Sequence, residues 1–121
     1  MSETPTPIAL TGIKQTGTPH LGNYLGAILP ALDLSKTYRA LYFIADYHAL
    51  TTIKDSKTLH DLTYEIAATW LALGLDPEKT TLYRQSDIPE IFEFFWILSC
   101  FTGKGLLNRA HAYKAALDKN V

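Results

Sequence analysis

The chain has 121 residues, with 11 Lys and Arg against 12 Asp and Glu, a formal net charge of −1 and a pI near 6.4. That length allows one domain at most, burying about two-thirds of its unfolded surface. The charge balance announces neither nucleic acid, nor a membrane, nor an acidic substrate, although it leaves a nucleic-acid partner open. A single cysteine, Cys100, rules out an internal disulfide. It stands in the apolar run "FFWILSCF" and reads as a small core residue in a reducing compartment, for which the cytoplasm fits best. The opening "MSETPTP" lacks the basic and apolar stretches of a signal peptide, and the longest apolar run, residues 94–101, is too short to span a bilayer.

Residues 1–7 read as a loose lead-in, after which "IAL", Ile8 to Leu10, reads as a short buried strand. Leu21, Leu25, Ile28, Leu29 and Leu32 then recur at helical spacing. The stretch between, "TGIKQTGTPHLGNYLGA", is therefore a strand-to-helix crossing rich in glycine. Such a crossing aims backbone N–H groups of a first helical turn into a crevice, where their partial positive charge suits a phosphate. The spacing matches neither G-x-G-x-x-G nor a P-loop. His20 and Asn23, three apart, share one side of the incoming turn, with Gly22 between them and Thr16 and Thr18 adding hydroxyls. A turn at Thr18-Pro19 with an incidental histidine is the alternative; the clustering favours a nucleotide site.

"ALYFIA", Ala40 to Ala45, has the continuous apolar character of a central strand covered on both faces. Asp55 or Ser56 can cap a helix whose stripe is Leu59, Leu62, Ile66, Trp70 and Leu73, stopped by Gly74. "TTLYRQ" from Thr80 gives a third strand. Asp87 as N-cap, with Pro89 and Glu90 behind it, predicts a capping box for a helix over 88–101. That helix is apolar on nearly every side, so it is expected to be buried or to lie at a subunit interface. After Thr102-Gly103-Lys104-Gly105 a last helical pattern runs to about Leu117. Lys104, Arg109, Lys114 and Lys119, five apart, turn about 140° each and scatter round a helix instead of forming a nucleic-acid patch.

Strands alternating with helices predict an α/β fold with a parallel sheet and right-handed crossovers, whose ligands sit beyond the carboxyl ends of the strands. Two stretches fall there, the glycine loop and "DYHALTT" from Asp46. Asp46 starting a turn and His48 as a satisfied structural histidine is the bland reading of the second. Proximity to the glycine loop favours substrate recognition instead. No ligand set for a metal stands at suitable spacing, and Cys100 has no basic neighbour to make it a nucleophile.

With these residues in view, the sequence resembles the bacterial tryptophanyl-tRNA synthetase family. "TGIKQTGTPHLGNYLGA" is similar to that family's nucleotide loop, where "HLGN" stands in place of the wider class I "HIGH". "FIADYHALTT", "YRQSDIPE" and "LLNRAHAYKA" follow in the family's order, so the resemblance runs from Ile8 through the chain. It implies a Rossmann-like parallel sheet with flanking helices, the N-terminal half of a class I nucleotide-binding domain, over 8–121. It also implies that Lys14, Gln15, Thr16, Gly22 and Asn23 contact ATP, with His20 and Asn23 catalytic and His20 meeting the phosphates. Leu10, Ala45, Asp46 and His48 would line or support a tryptophan pocket. The implied reaction is adenylation of tryptophan and transfer to tRNA(Trp), with Mg²⁺ arriving on ATP, no membrane partner, and a homodimer at full length. The family commonly has proline where Gln15 stands, and no "KMSKS"-like loop occurs in these 121 residues. A tyrosyl-tRNA synthetase or similar nucleotidyltransferase, and a fragment serving only folding or dimerisation, are the alternatives.

Overall fold

The computed structural model describes residues 6–118, so most of the expected lead-in and Lys119 lie outside the described residues. Three parallel strands, β1 (Ile8–Ile13), β2 (Arg39–Ile44) and β3 (Thr80–Arg84), form one sheet in the order β1-β2-β3. Gly12 pairs with Phe43, and Ile44 with Arg84. β1 is longer than predicted because Gly12 continues the ladder: a Cβ there would overlap the Phe43 ring, so only a bare backbone lets the two strands keep this register with that ring in place.

The connection from β1 to β2 carries α1 (Leu21–Asn23), a π turn (Tyr24–Ile28) and α2 (Leu29–Leu34). The Leu29 N–H reaches five residues back to the Tyr24 carbonyl, and Pro30, which has no N–H to offer, follows at once. After β2 come the short α3 (Asp46–Ala49) and the long α4 (Ser56–Ala72). Asp55 caps α4, its carboxylate accepting from the Thr58 N–H at 2.7 Å.

Two steps in the same direction across a parallel sheet, each by a right-handed crossover, put both connections on one face. The core agrees. Ile28 and Ala31 from the first connection and Ile66 and Trp70 from the second share a buried cluster with Ala40, Tyr42 and Ile44 of β2. The Tyr42 and Trp70 rings lie 5.2 Å apart, and the Tyr42 hydroxyl donates to the Ala31 carbonyl. Burial pushes that phenol's pKa up. On the other face Leu41 and Phe43 are half-buried, while Ile8 and Leu10 are exposed. The expected cover on both faces of β2 is thus not present among the described residues.

The chain divides into two compact units, at Asp87 and Ile88. The second unit contains α5 (Glu90–Phe101), α6 (Lys104–Leu107) and α7 (His111–Asp118), so the single late helical pattern is broken in two. No described residue of these helices is buried. Cys100, expected in a core, is exposed, because α5 has more apolar surface than this unit's short helices cover. The Asp87 cap is also absent. Its carboxylate is taken by the Arg84 N–H at 2.9 Å and the Arg84 guanidinium, and α5 starts at Glu90 without a side-chain cap bond.

Candidate functional site

At the carboxyl end of β1 the chain leaves the sheet through Lys14 and Gln15 into the glycine loop, and enters α1 at His20. The His20 Nδ1 accepts from the Gly22 N–H at 3.1 Å, and the Asn23 Oδ1 accepts from the His20 N–H at 3.0 Å. This reciprocal cap fixes both side chains. Since Nδ1 is an acceptor, the neutral ring carries its proton on Nε2, and Asn23 keeps its amide NH₂ for another partner. A side chain at Gly22 would press on the His20 ring at 2.9 Å, so glycine holds this geometry open.

His20 and Asn23 line a cleft of about 120 Å³ with Ile13, Lys14, Thr16, Gly17, Thr18, Pro19 and, from α4, Ile66. Its lining includes the Lys14 ammonium, the His20 ring, the Asn23 amide and the Thr16 and Thr18 hydroxyls, and no carboxylate. That lining suits an anion, and the volume suits a phosphate group rather than a whole nucleotide, since complete ligand sites run from about 300 Å³ upward.

A second cleft, about 230 Å³, opens on the uncovered side of β1 and β2, lined by Gly12, Lys14, Phe43, Ala45 and His48. Here the His48 Nδ1 lies 2.9 Å from the Gln85 Oε1. An amide oxygen only accepts, so Nδ1 bears the proton and the neutral ring has an acceptor at Nε2. Lys14 lines both clefts, its ammonium donating to the Thr51 hydroxyl at 2.8 Å; that hydroxyl donates in turn to the His48 carbonyl at 2.7 Å.

Lys14, Thr16, His20 and Asn23 thus meet at the first cleft, and Ala45 and His48 at the second. Gly22 supports the first from beneath His20. Three residues stand apart. Gln15 is wholly buried, and its Nε2 donates to the Thr63 hydroxyl at 2.9 Å, so any contact it makes with a cleft ligand is through its main chain. Asp46 is half-buried, its carboxylate accepting from the Tyr47 and Ser86 N–H groups at 3.0 and 3.1 Å. That ties the end of β2 to the turn after β3. Leu10 lies on β1, 62% exposed and outside both clefts.

Beside the Asp46 tether, the Arg84 guanidinium and N–H hold the Asp87 carboxyl below the usual carboxylate range, and Asp87 raises the Arg84 pKa in return. Sequence reasoning missed Ile66, Phe43, Thr51, Thr63 and Gln85. Thr51 lies inside the "DYHALTT" stretch without having been given a role, and the other four reach the site by contacts between elements distant in sequence.

The family profile of class I tRNA synthetases (W and Y) matches residues 2–121. The chain belongs to this family. Among its curated relatives, a tryptophan–tRNA ligase from Pseudomonas putida is 62% identical over 114 residues, covering 93% of this chain and 25% of the relative. One from Xylella fastidiosa is 59% identical over 113 residues, 92% and 26% respectively. The chain therefore spans about a quarter of the length of these synthetases. Among solved structures, the tryptophanyl-tRNA synthetase of Campylobacter jejuni superposes with a TM-score of 0.85 at 42% identity, over 97% of this chain and 37% of the other. The same enzyme complexed with ADP and tryptophan gives 0.83 at 43%, over 94% and 36%. The Rossmann-like architecture of a class I synthetase is thereby established for the chain.

Proposed function

We propose that this chain carries the nucleotide loop and part of the amino-acid pocket of a tryptophan–tRNA ligase, which at full natural length forms tryptophanyl-adenylate from ATP and charges tRNA(Trp). The observation that carries this reading is the pair of clefts meeting at Lys14. Adenylation needs an α-phosphate and a carboxylate brought together, and two adjoining sites with one cation between them suit that task. The relatives' names supply the amino acid.

The carboxylate of tryptophan is already a nucleophile, so the protein's part is alignment and stabilisation of charge. In this reading His20 donates from Nε2 and Asn23 from its amide to phosphate oxygens. Lys14 leaves Thr51 for the charge developing between the clefts. Thr16 and the loop backbone, Gln15 included, line the nucleotide. His48 offers Nε2 as an acceptor in the second cleft, beside Ala45; Leu10 and Asp46 belong to its surroundings, Asp46 by holding the strand ends. No three His, Cys, Asp or Glu residues converge to hold a metal among the described residues. In this reading Mg²⁺ arrives with ATP, whose phosphates would hold it, and there it would offset phosphate charge.

A homodimer at full length is supported by the exposed apolar surface of α5, and a cytoplasmic setting by the relatives' role in translation. No described helix is long and apolar enough to cross a membrane. The test is pyrophosphate exchange by the protein at full natural length. Tryptophan-dependent exchange, with tyrosine as the control amino acid, is expected, and His20→Ala should slow it at least tenfold, about 1.4 kcal/mol. Exchange driven equally by tyrosine, or His20→Ala at the parent rate, overturns the assignment.

A further inference from the structure

Gln15 and Thr63 form a buried polar pair that joins the end of β1 to α4. The Gln15 side chain is fully buried, Thr63 is buried on α4, and the two join at 2.9 Å across 48 residues of sequence. The Thr63 hydroxyl spends its own proton on the Leu59 carbonyl at 2.7 Å, which fixes its rotamer and leaves its oxygen to accept from Gln15. The Gln15 Oε1 is buried with no partner among the described residues. A half-satisfied amide in an apolar interior is costly, and an apolar side chain would avoid that cost. What the amide uniquely supplies is a directional tie.

That tie acts at one place. Gln15 is the last residue before Thr16, Gly17 and Thr18, the stretch that walls the first cleft, and Ile66, one turn along α4 from Thr63, lines the same cleft from the other side. The hydrogen bond between Gln15 and Thr63 thus ties together the two elements that line this cleft. We infer that Thr63, acting through Gln15, is a positioning residue for the nucleotide loop: it fixes the loop's distance from α4 and so the fit of the phosphates, without touching them. This rests on the ATP reading of the first cleft. The second cleft is lined by neither Gln15, nor Thr63, nor any residue of α4, so the expected consequence is selective. Loss of the tie should weaken ATP and spare tryptophan.

The experiment compares Thr63→Val, Thr63→Ser and the apolar pair Gln15→Met with Thr63→Val in the protein at full natural length. Calorimetric titration with Mg²⁺-ATP and with tryptophan is run beside pyrophosphate exchange and thermal melting. Thr63→Val is expected to raise the ATP Kd and KM about tenfold while the tryptophan values stay within about twofold, since small misplacements near a reacting centre carry large penalties. Thr63→Ser keeps the hydroxyl and should return ATP to within about twofold of the parent. The apolar pair removes the stranded amide, so it should melt near the parent temperature yet keep the ATP defect. ATP values at the parent level in both Val variants overturn the inference. So do ATP and tryptophan losses that move together with melting temperature, which mark a purely structural role. A parent that binds ATP but shows no tryptophan-dependent exchange overturns the proposed function alone, and the ATP titrations then decide the positioning role. A parent that binds no ATP overturns both.

Discussion

The two tryptophans of this chain stand in opposite circumstances. Trp70, on α4, is 1% exposed against Tyr42, whereas Trp96, on α5, is 70% exposed. Their helices differ above all in apolar content, nine of the 17 residues of α4 against nine of the 12 of α5. α4 keeps Ile66 and Trp70 on one side and Lys57, Asp61 and Ala68 on others, so a single sheet face completes it. α5 presents Phe94, Phe95, Trp96, Ile97, Leu98 and Phe101 on all sides, and none is buried. The contrast shows that a helix with polar residues to leave in solvent can be completed by one sheet face, while a helix apolar on every side needs more cover than one face gives.

Replacing the two rings tests this contrast most severely. In chemical unfolding of the 121-residue chain, Trp70→Ala should cost about 3–5 kcal/mol, the usual penalty for emptying a buried aromatic site. Trp96→Ala should stay within about 0.5 kcal/mol. Similar losses at both positions would mean that α5 is covered in the isolated chain. Next in size, Asn23→Ala removes one half of the cap at α1 and is expected to cost about 1 kcal/mol in the same measurement, with helix content by circular dichroism falling slightly. No substitution at Asp87 should lower the helix content of α5, which lacks a side-chain cap.

The smallest effect is with pH, and it too separates the units. Asp55, Asp61, Asp76 and Asp87, all in the first unit, have pKa values lowered by hydrogen bonds, from Thr58, Lys57, Lys79 and Arg84 respectively. A carboxyl whose folded pKa lies below its unfolded one stabilises the fold above the unfolded value, near 3.8, and that contribution is lost as pH falls through the folded value. Lys57 and Lys79 are raised by Asp61 and Asp76. Their share is present below about 10.5 and is lost as pH rises past the folded values. All these groups are exposed, so the urea midpoint should fall only slightly below pH 4 and less still in 1 M salt. A midpoint flat from pH 5 to pH 2 would remove these pairs from the account.

Much of the first unit was legible because its signals are local. The apolar runs at Ile8 and Ala40, the stripe from Leu59 to Trp70 and the cap at Asp55 each depend on neighbours in sequence. The glycine loop pointed to the first cleft in the same way, since His20, Gly22 and Asn23 lie within four residues. What escaped depends on distant partners. Gln15 reads as a loop residue until Thr63, 48 positions away, turns its amide inward. Asp46 reads as a recognition group, and its tie to the Ser86 N–H, 40 positions on, through one carboxylate oxygen is invisible in the sequence. Asp87 looks like a cap by spacing, yet a guanidinium three residues before it binds more strongly than an exposed N–H.

The π turn at Tyr24–Ile28 limits how this segment can gain or lose residues. It holds one residue more than an α turn would, and it ends where Pro30 begins to occupy the helix. Deleting a residue such as Gly26 would wind the segment into a regular helix and set the Pro30 ring against the carbonyl four positions back. Deletion is then tolerable only together with replacement of Pro30, and replacement of Pro30 removes the reason for the wider turn. The extra residue and the proline are thus a coupled pair. The pair also sets helical phase: Leu21 before the widened turn and Leu25 within it stay exposed, while Ile28 at its end and Ala31 beyond it are buried in the core.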